Sequence, residues 1–204
     1  MNESSPRFST PTSVSRPRGS RLITAFSPTL QRSVCAFDYV SFAQWVRLEA
    51  DPSVASFCER PARVGAGSDA GLIDFWVQRA SLEELLVIDR GRIPTELPAT
   101  LDGVALKTVP AAELTAAATW IANWFRMIPV INATRGLTSK GLARSALKLI
   151  RSPLALSRVE HELSIDDPSL VRGTVFELLR TGQLSAPSLH THPLSPHTTL
   201  EPAP

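Results

Sequence analysis

The sequence of 204 residues predicts an α/β fold, and three observations lead to this. Hydrophobic residues make up 43% of the chain and charged residues 20%, so the chain can bury a core. Between residues 21 and 134, short aliphatic runs typical of strands alternate with segments of helical period. Residues 135–182 contain helix signals only, followed by a hairpin signal, so we expect a second domain there.

The first predicted element is a helix over residues 39–50. Asp38 is a favourable N-cap, and Phe42, Trp45 and Val46 form an apolar stripe at helical spacing. Asp51-Pro52 ends the helix, because proline disfavours helical geometry at the residue before it.

The strands of the predicted core follow from apolar runs bounded by glycine, proline and charged residues. The run at 85–88 is apolar throughout, as expected of a buried central strand. A long helix is predicted over 111–127, with Leu114, Ile121 and Phe125 on one face. The predicted strands cover residues 54–58, 62–64, 72–77, 85–88, 104–109 and 128–131.

The predicted second domain, residues 135–186, begins with three helices over 142–151, 154–163 and 169–180. Asp167-Pro168 favours the start of the third, and Thr181-Gly182 favours its end. A short hairpin after residue 183 completes the pattern of a winged helix, whose third helix commonly enters a DNA groove. We expect residues 1–20 to form a disordered basic arm and 187–204 a flexible Pro-rich tail.

Charge and cysteine content exclude several classes of protein. The net charge of +2 combines +2 in residues 1–20, −2 in 21–134, +3 in 135–180 and −1 from Glu201. This segmentation favours contact with a polyanion. Two cysteines cannot form a disulfide framework, and no Cys/His spacing indicates zinc. The start has no apolar signal region, and polar residues interrupt the most apolar stretch, 114–131. We therefore expect a cytoplasmic protein without a membrane partner.

Two carboxylates fall where apolar side chains are expected. Asp74 lies within the run LIDFWV, and Glu49 continues the apolar face of the first helix. Buried carboxylates require a cation, a metal or hydrogen bonds. They indicate either a metal-dependent phosphodiesterase site or structural pairing, with Arg90 or Arg63 bound to Asp74 and Glu49 capping neighbouring backbone.

The segment WVRLEADPSVASFCERP, residues 45–61, resembles the LLEFDPxVxxFxEQP segment of the TnsA family. Members of this family are endonuclease subunits of heteromeric cut-and-paste DNA transposases. The later DFWV, residues 74–77, resembles the family's PDFLV strand. Over roughly residues 30–185, the resemblance implies a restriction-endonuclease-like (PD-(D/E)XK type) core with a C-terminal winged helix. It also implies Mg²⁺, transposon-end DNA, a DDE-type transposase and an AAA+ ATPase regulator.

Residue by residue, the resemblance retains one of the family's four active-site positions. The family's metal-binding glutamate falls on Ser41, and its catalytic aspartate falls on Asp74. The Gln or Glu of the third strand falls on Ile88, and the lysine falls on Arg90. Serine and isoleucine do not provide the carboxylate oxygens that a hard divalent cation prefers, so we expect an impaired or lost nuclease site.

Three interpretations follow from these substitutions. In the favoured one, the degenerate core is a scaffold in which Asp74 and Arg90 form a structural ion pair. In the second, the chain is an active Mg²⁺-dependent endonuclease cutting 5′ transposon ends, with Asp74 and displaced ligands such as Asp38 or Glu49. In the third, it is a winged-helix transcription regulator with a fused non-catalytic domain.

The predicted DNA-binding residues lie in the basic C-terminal domain. Lysine and arginine on one face neutralise phosphates, and the third helix offers further groove or backbone contacts. An alternative is that this domain docks on a protein and its charges are only solvated. The predicted contacts are Arg144, Lys148, Arg151, Arg158, Ser169, Arg172 and Thr174.

Overall fold

The computed structural model describes residues 6–65, 71–91, 97–163 and 167–203. They form two compact units. The first comprises the described residues up to Glu49 and those of 53–115; the second comprises 50–52 and the described residues from Ala116 onward. The second unit thus begins within the segment predicted as one long helix, whereas we predicted a boundary after residue 134.

The first unit contains a mixed five-stranded sheet, so the predicted α/β class is confirmed. Its strand order is β3-β6-β7-β9-β8, in which only β7 and β9 are parallel neighbours. Two antiparallel pairs, β1-β2 and β4-β5, form separate small sheets. The elements are β1 (Ile23–Ser27), β2 (Arg32–Ala36), α1 (Tyr39–Glu49), β3 (Val54–Glu59), β4 (Arg63–Val64), β5 (Gly71–Leu72), β6 (Phe75–Arg79), β7 (Glu83–Ile88), β8 (Thr100–Leu101), β9 (Val104–Val109) and α2 (Ala111–Ala116).

Helix α1 begins as predicted. The Asp38 carboxylate accepts a hydrogen bond from the Ser41 backbone N–H at 2.7 Å, which satisfies one of the free donors of the first turn. Phe42, Trp45 and Val46 are buried, in agreement with the predicted stripe.

The core of this unit lies around β6 and β7, and the N-terminal segment contributes to it. The Phe8 ring meets Trp76 edge-on at 5.8 Å, and Arg7 forms a salt bridge with Glu83 at 3.1 Å. The Thr12 backbone N–H donates to the carbonyl of Arg60, the residue that follows β3. These contacts differ from the predicted disordered arm, because an aromatic side chain here anchors the chain to the sheet.

Glu84, on the face of β7 opposite Leu85, is a buried carboxylate held by two cations. Lys107 of β9 lies 2.6 Å from it, and Arg79 of β6 also binds it. Burial is the largest influence and acts to raise the pKa of Glu84, but the hydrogen bonds and charges of Lys107 and Arg79 together lower it. Glu84 therefore stabilises the sheet in its charged form.

The second unit is mainly helical. Helix α6 packs against α3, α4 and α5, and a small antiparallel sheet has the order β10-β12-β11. The elements are α3 (Ala118–Thr134), α4 (Lys140–Leu149), β10 (Leu154–Ala155), α5 (Leu156–Leu163), α6 (Pro168–Arg180), β11 (Leu184–Ser185), a 3₁₀ helix (Pro187–His190) and β12 (Thr199–Pro202). None of the helices formed by described residues is long and apolar enough to cross a membrane.

The predicted strand at 128–131 is wrong, because these residues continue α3. Trp124, Met127, Ile128 and Ile131 are all buried and follow the i, i+3, i+4, i+7 spacing of one helix face. Pro129 lies within the helix on its exposed side. The extended apolar face therefore outweighs the lost backbone donor of the proline.

Helices α3 and α6 approach closely at Gly173. A β-carbon at this position would lie 2.0 Å from Oγ1 of Thr134 at the end of α3. The missing side chain of Gly173 therefore permits this helix crossing.

The segment predicted as a flexible tail is folded over residues 187–203. Leu189 and Leu200 are almost fully buried, and β12 pairs with both β10 and β11. The buried Asn123 amide of α3 donates to the Leu189 and His192 carbonyls, each at 2.8 Å. Prolines limit hydrogen bonding but not burial, so proline content alone is a poor guide to order here.

Candidate functional site

Asp74 lies where the chain passes from β5 to β6. The predicted strand over 72–77 is interrupted at this point. The Asp74 N–H donates to the Leu86 carbonyl at 2.9 Å, and its carbonyl accepts from the Arg60 N–H at 2.8 Å. Backbone bonds to both neighbouring strands thus fix the residue, which is only 9% exposed.

The Asp74 carboxylate is satisfied by an arginine and by backbone. Oδ1 accepts from Nη2 of Arg90 at 2.7 Å, and Oδ2 accepts from Nη1 of Arg90 at 3.1 Å. Oδ2 also accepts from the Ile88 backbone N–H at 2.7 Å. This bidentate geometry is the strong form of an arginine–carboxylate pair. The predicted ion pair of Asp74 with Arg90 is therefore present.

The Arg90 guanidinium also binds the start of α1. Nη2 donates to Oγ of Ser41 at 2.6 Å and lies 3.3 Å from Oδ2 of Asp38. Nη1 donates to the Ile88 carbonyl at 3.2 Å. Burial, the largest influence, acts to lower the pKa of Arg90, but its hydrogen bonds and attraction to Asp74 and Asp38 raise it overall. Arg90 is thus a permanent cation among these acceptors.

Glu49 belongs to a different part of the unit. Its carboxylate accepts hydrogen bonds from Oγ of Ser27 at 2.6 Å, from the Thr29 N–H at 2.7 Å and from Oγ1 of Thr29 at 2.6 Å. Glu49 therefore holds the turn between β1 and β2, as the structural alternative predicted. Glu49 does not line the cavity beside Asp74, so the structure does not bring these two proposed metal ligands together there.

A cavity of about 200 Å³ opens beside the Asp74–Arg90 pair. Its walls are mainly apolar and aromatic, and Arg60 brings a second guanidinium to its lining, where it stacks over the Phe37 ring at 5.1 Å. Arg60 has a positive φ of 49°, an uncommon conformation for this residue type. No periodic pattern in the sequence indicates that Arg60 lines this cavity, so the sequence did not predict it. The cavity is lined by Pro17, Val34, Cys35, Ala36, Phe37, Asp38, Ser41, Phe42, Trp45, Glu59, Arg60, Leu72, Asp74, Phe75 and Arg90.

These residues do not fit a divalent cation. Three carboxylates line the cavity, and each is bound by an arginine: Asp38 and Asp74 by Arg90, and Glu59 by Arg32. Ile88 contributes only backbone atoms, and among the described residues no group of three His, Cys, Asp or Glu side chains is placed to hold a metal. A metal here would require displacement of a positive charge that already has the oxygen partners Mg²⁺ would need.

The predicted basic DNA contacts in the second unit are of two kinds. Arg144, Lys148 and Arg151 are exposed, with no ion-pair partner among the described residues. Arg158 is bound to Glu162 at 2.7 Å, and Arg172 to Glu160 at 2.6 Å. These two arginines therefore share their charge with carboxylates.

The polar residues predicted on α6 behave differently from one another. Ser169 is exposed in the first turn, where its N–H is capped by Asp167 at 2.8 Å. Thr174 is buried, and its hydroxyl donates to the Leu170 carbonyl at 2.7 Å. Thr174 as a DNA contact is therefore wrong, because that face of α6 points into the unit.

Compared with protein-family models and with curated proteins, the chain matches none. The resemblance to the TnsA family therefore rests on the sequence segments alone.

Proposed function

We propose that this chain is a TnsA-like subunit of a transposase complex that binds transposon-end DNA without cutting it. In this proposal the first unit is a restriction-endonuclease-like core that serves as a scaffold, and the second is a winged-helix domain. Its partners are a DDE-type transposase and an AAA+ ATPase regulator in the cytoplasm.

The observation that carries the proposal is the meeting of four residues that the resemblance assigned independently of any structure. Ser41, Asp74 and the segment of Ile88 and Arg90 are well separated in the sequence, yet Arg90 hydrogen-bonds to Ser41 and Asp74. The Ile88 backbone N–H donates to the same Asp74 carboxylate. An incorrect alignment to the family would not be expected to select residues that converge at one cavity. This convergence supports a nuclease-like ancestry of the core.

The chemistry of the same residues favours a scaffold over an active nuclease. Arginine remains protonated and cannot act as a general base at neutral pH. The Asp74 carboxylate is occupied by Arg90 and the Ile88 N–H, and the Ser41 hydroxyl binds Arg90 and Asp38. Metal-dependent cleavage needs open oxygen ligands that position a water nucleophile, and this ion pair offers none.

The order of elements in the second unit supports its place in the proposal. The chain runs α4-β10-α5-α6-β11-β12, with three helices and a three-stranded sheet in which β12 lies between β10 and β11. A helical domain that ends in a β-hairpin is the arrangement expected of a winged helix.

The test is a cleavage and binding assay with the full-length chain. The purified protein is combined with its partner transposase, the ATPase, DNA bearing the transposon ends, and Mg²⁺ or Mn²⁺. We expect the chain to bind end DNA and join the transposase, and we expect the same amount of 5′-end cleavage with wild type and with Asp74→Asn.

The matched control is Asp89→Asn, which removes a nearby carboxylate. Among the described residues, this carboxylate accepts a hydrogen bond from the Gly91 N–H alone, at 2.7 Å. Cleavage at 5′ ends that Asp74→Asn abolishes and Asp89→Asn retains would show an active endonuclease and refute the scaffold. Binding to DNA sites unrelated to transposon ends, without association with the transposase, would instead favour a transcription regulator.

A further inference from the structure

The outward face of α4 carries an uninterrupted basic surface. Lys140, Arg144 and Lys148 follow at intervals of four residues and are all exposed. At 1.5 Å per residue, neighbouring cations on this stripe are about 6 Å apart along the helix axis. The other exposed residues of α4 are Gly141 and Ser145, which are small. We refer to Lys140, Arg144 and Lys148 as the α4 stripe.

We propose that the α4 stripe, and not α6, binds the phosphate backbone of duplex DNA. This inference rests on the proposed function and assigns its DNA-binding surface. It departs from the usual winged-helix expectation that the third helix makes the principal contact.

The segment of sequence around the stripe contains no acidic residue. Residues 114–159 include seven Lys or Arg and no Asp or Glu. Among the described residues, none forms an ion pair with a member of the α4 stripe. The arginines of α5 and α6 differ, since Arg158 and Arg172 are bound to Glu162 and Glu160.

The stability of α4 does not explain the stripe. Lys140 lies in the first turn, which has no acidic residue, so its charge opposes the helix dipole. Arg144 follows Lys140, and Lys148 follows Arg144, at the i,i+4 spacing where like charges repel. Lys148 lies in the last turn, where its charge favours the dipole. The first-turn position of Lys140 and the two like-charge spacings still disfavour the isolated helix, and a bound polyanion would offset that repulsion.

Helix α6 is poorly suited to enter a DNA groove. Seven of its thirteen residues are buried, and it packs against α3, α4 and α5. Of its predicted contacts, Thr174 is buried and Arg172 is held by Glu160. Arg180 pairs with Glu177 at 2.6 Å. Its exposed surface therefore offers little free positive charge to a phosphate backbone.

The chemistry of the stripe favours a nucleic-acid backbone over a protein partner. Protein interfaces are centred on aromatic or apolar anchors, with Lys depleted. The exposed positions of α4 hold only basic or small residues. Small side chains between evenly spaced cations allow a phosphate backbone to approach the helix closely.

The experiment compares two variants of the full-length chain with equal charge loss. Arg144→Gln/Lys148→Gln removes two charges from the stripe, and Arg158→Gln/Arg172→Gln removes two ion-paired charges from the same unit. Glutamine is a good helix former, and circular dichroism with thermal unfolding confirms that both variants fold. Binding to a 30-base-pair duplex is measured by fluorescence anisotropy at several salt concentrations.

The slope of log K against log salt is negative, and we expect the stripe variant to reduce its magnitude by about 2, since each phosphate contact contributes about 0.9. This corresponds to a loss of affinity on the order of 50-fold at 0.1 M salt. The control variant should stay within about threefold of wild type. Adding Lys140→Gln should reduce the magnitude of the slope by about one further unit.

Equal losses in the two variants, or wild-type binding by the stripe variant, would overturn this inference while leaving DNA binding by the chain intact. A wild-type chain that binds no duplex DNA would instead refute the DNA-binding part of the proposed function. Stripe-dependent binding to single-stranded RNA or anionic vesicles, without binding to duplex DNA, would also overturn the inference.

Discussion

Removal of Arg90 should destabilise the first unit by leaving the Asp74 carboxylate without its cation. In Arg90→Met, the oxygens of Asp74 retain the Ile88 N–H as a hydrogen-bond donor but lose both guanidinium donors. The variant keeps an unbranched side chain of moderate length at position 90, so the change acts mainly through charge and hydrogen bonding.

The magnitude follows from the burial of the two side chains. Breaking a buried ion pair by removing one partner costs about 3–5 kcal/mol. The Asp74 side chain is 10% exposed but that of Arg90 is 37% exposed, so water reaches one side of the pair. We therefore expect a destabilisation of about 2 kcal/mol for Arg90→Met, below the fully buried range.

The assay is a double-mutant cycle of Asp74→Asn and Arg90→Met, followed by urea unfolding at pH 7. We expect a coupling energy of about 1–2 kcal/mol that persists in 0.5 M salt. The comparison pair is Arg47 and Glu113, which lie 3.5 Å apart on the surface of the same unit. Their cycle should give less than about 1 kcal/mol and decrease with salt.

A coupling energy for Asp74 and Arg90 no larger than that of the surface pair would refute the reasoning. It would mean that the hydrogen bonds at this cavity do not contribute to folding, and that the pair is only one of several arrangements of mobile side chains.

Three further predictions concern other sites. Glu84→Gln should lower the free energy of unfolding most at pH 7 and progressively less below about pH 4. The pKa of Glu84 is lowered in the folded protein, so its contribution to stability is lost as the carboxylate protonates. A destabilisation that does not change with pH would contradict this. Gly173→Ala should lower the free energy of unfolding by about 1–3 kcal/mol through a clash with Thr134. Adding Thr134→Ala should partly relieve this loss. Unchanged thermal unfolding of Gly173→Ala would exclude the close helix crossing. Cys58 is fully buried, and burial raises its pKa to about 11. In the native protein, a thiol reagent at pH 8 should therefore modify the half-buried Cys35 first. The opposite order of modification, measured by mass spectrometry, would contradict the packing.

Local chemistry made the first unit largely predictable from the sequence. The Asp38 cap and the alternating or continuous apolar runs depend on nearby residues, so α1, β3, β7 and β9 lie close to their predicted positions. The pairing of Asp74 with Arg90 was predictable because a buried carboxylate requires a cation. The hydrogen bonds from Arg90 to the start of α1 depend on the register between distant elements, which no local pattern contains.

The errors arose where tertiary packing outweighed a local signal. Pro129 interrupted an apolar helix face and led to a false strand, although the buried face continues from Trp124 to Ile131. Prolines after residue 187 suggested flexibility, but Leu200 on β12 is buried between two neighbouring strands. Thr174 appeared accessible because the burial of α6 on several sides is set by its neighbouring helices and not by its own sequence.

The central claim is that Arg90 occupies the place of a metal at Asp74. Its most direct test is a Mn²⁺ titration of the full-length chain, monitored by electron paramagnetic resonance of the free ion. The account predicts no Asp74-dependent binding at millimolar Mn²⁺, so that wild type and Asp74→Asn give the same signal. One equivalent of Mn²⁺ bound by wild type and lost in Asp74→Asn would contradict the account.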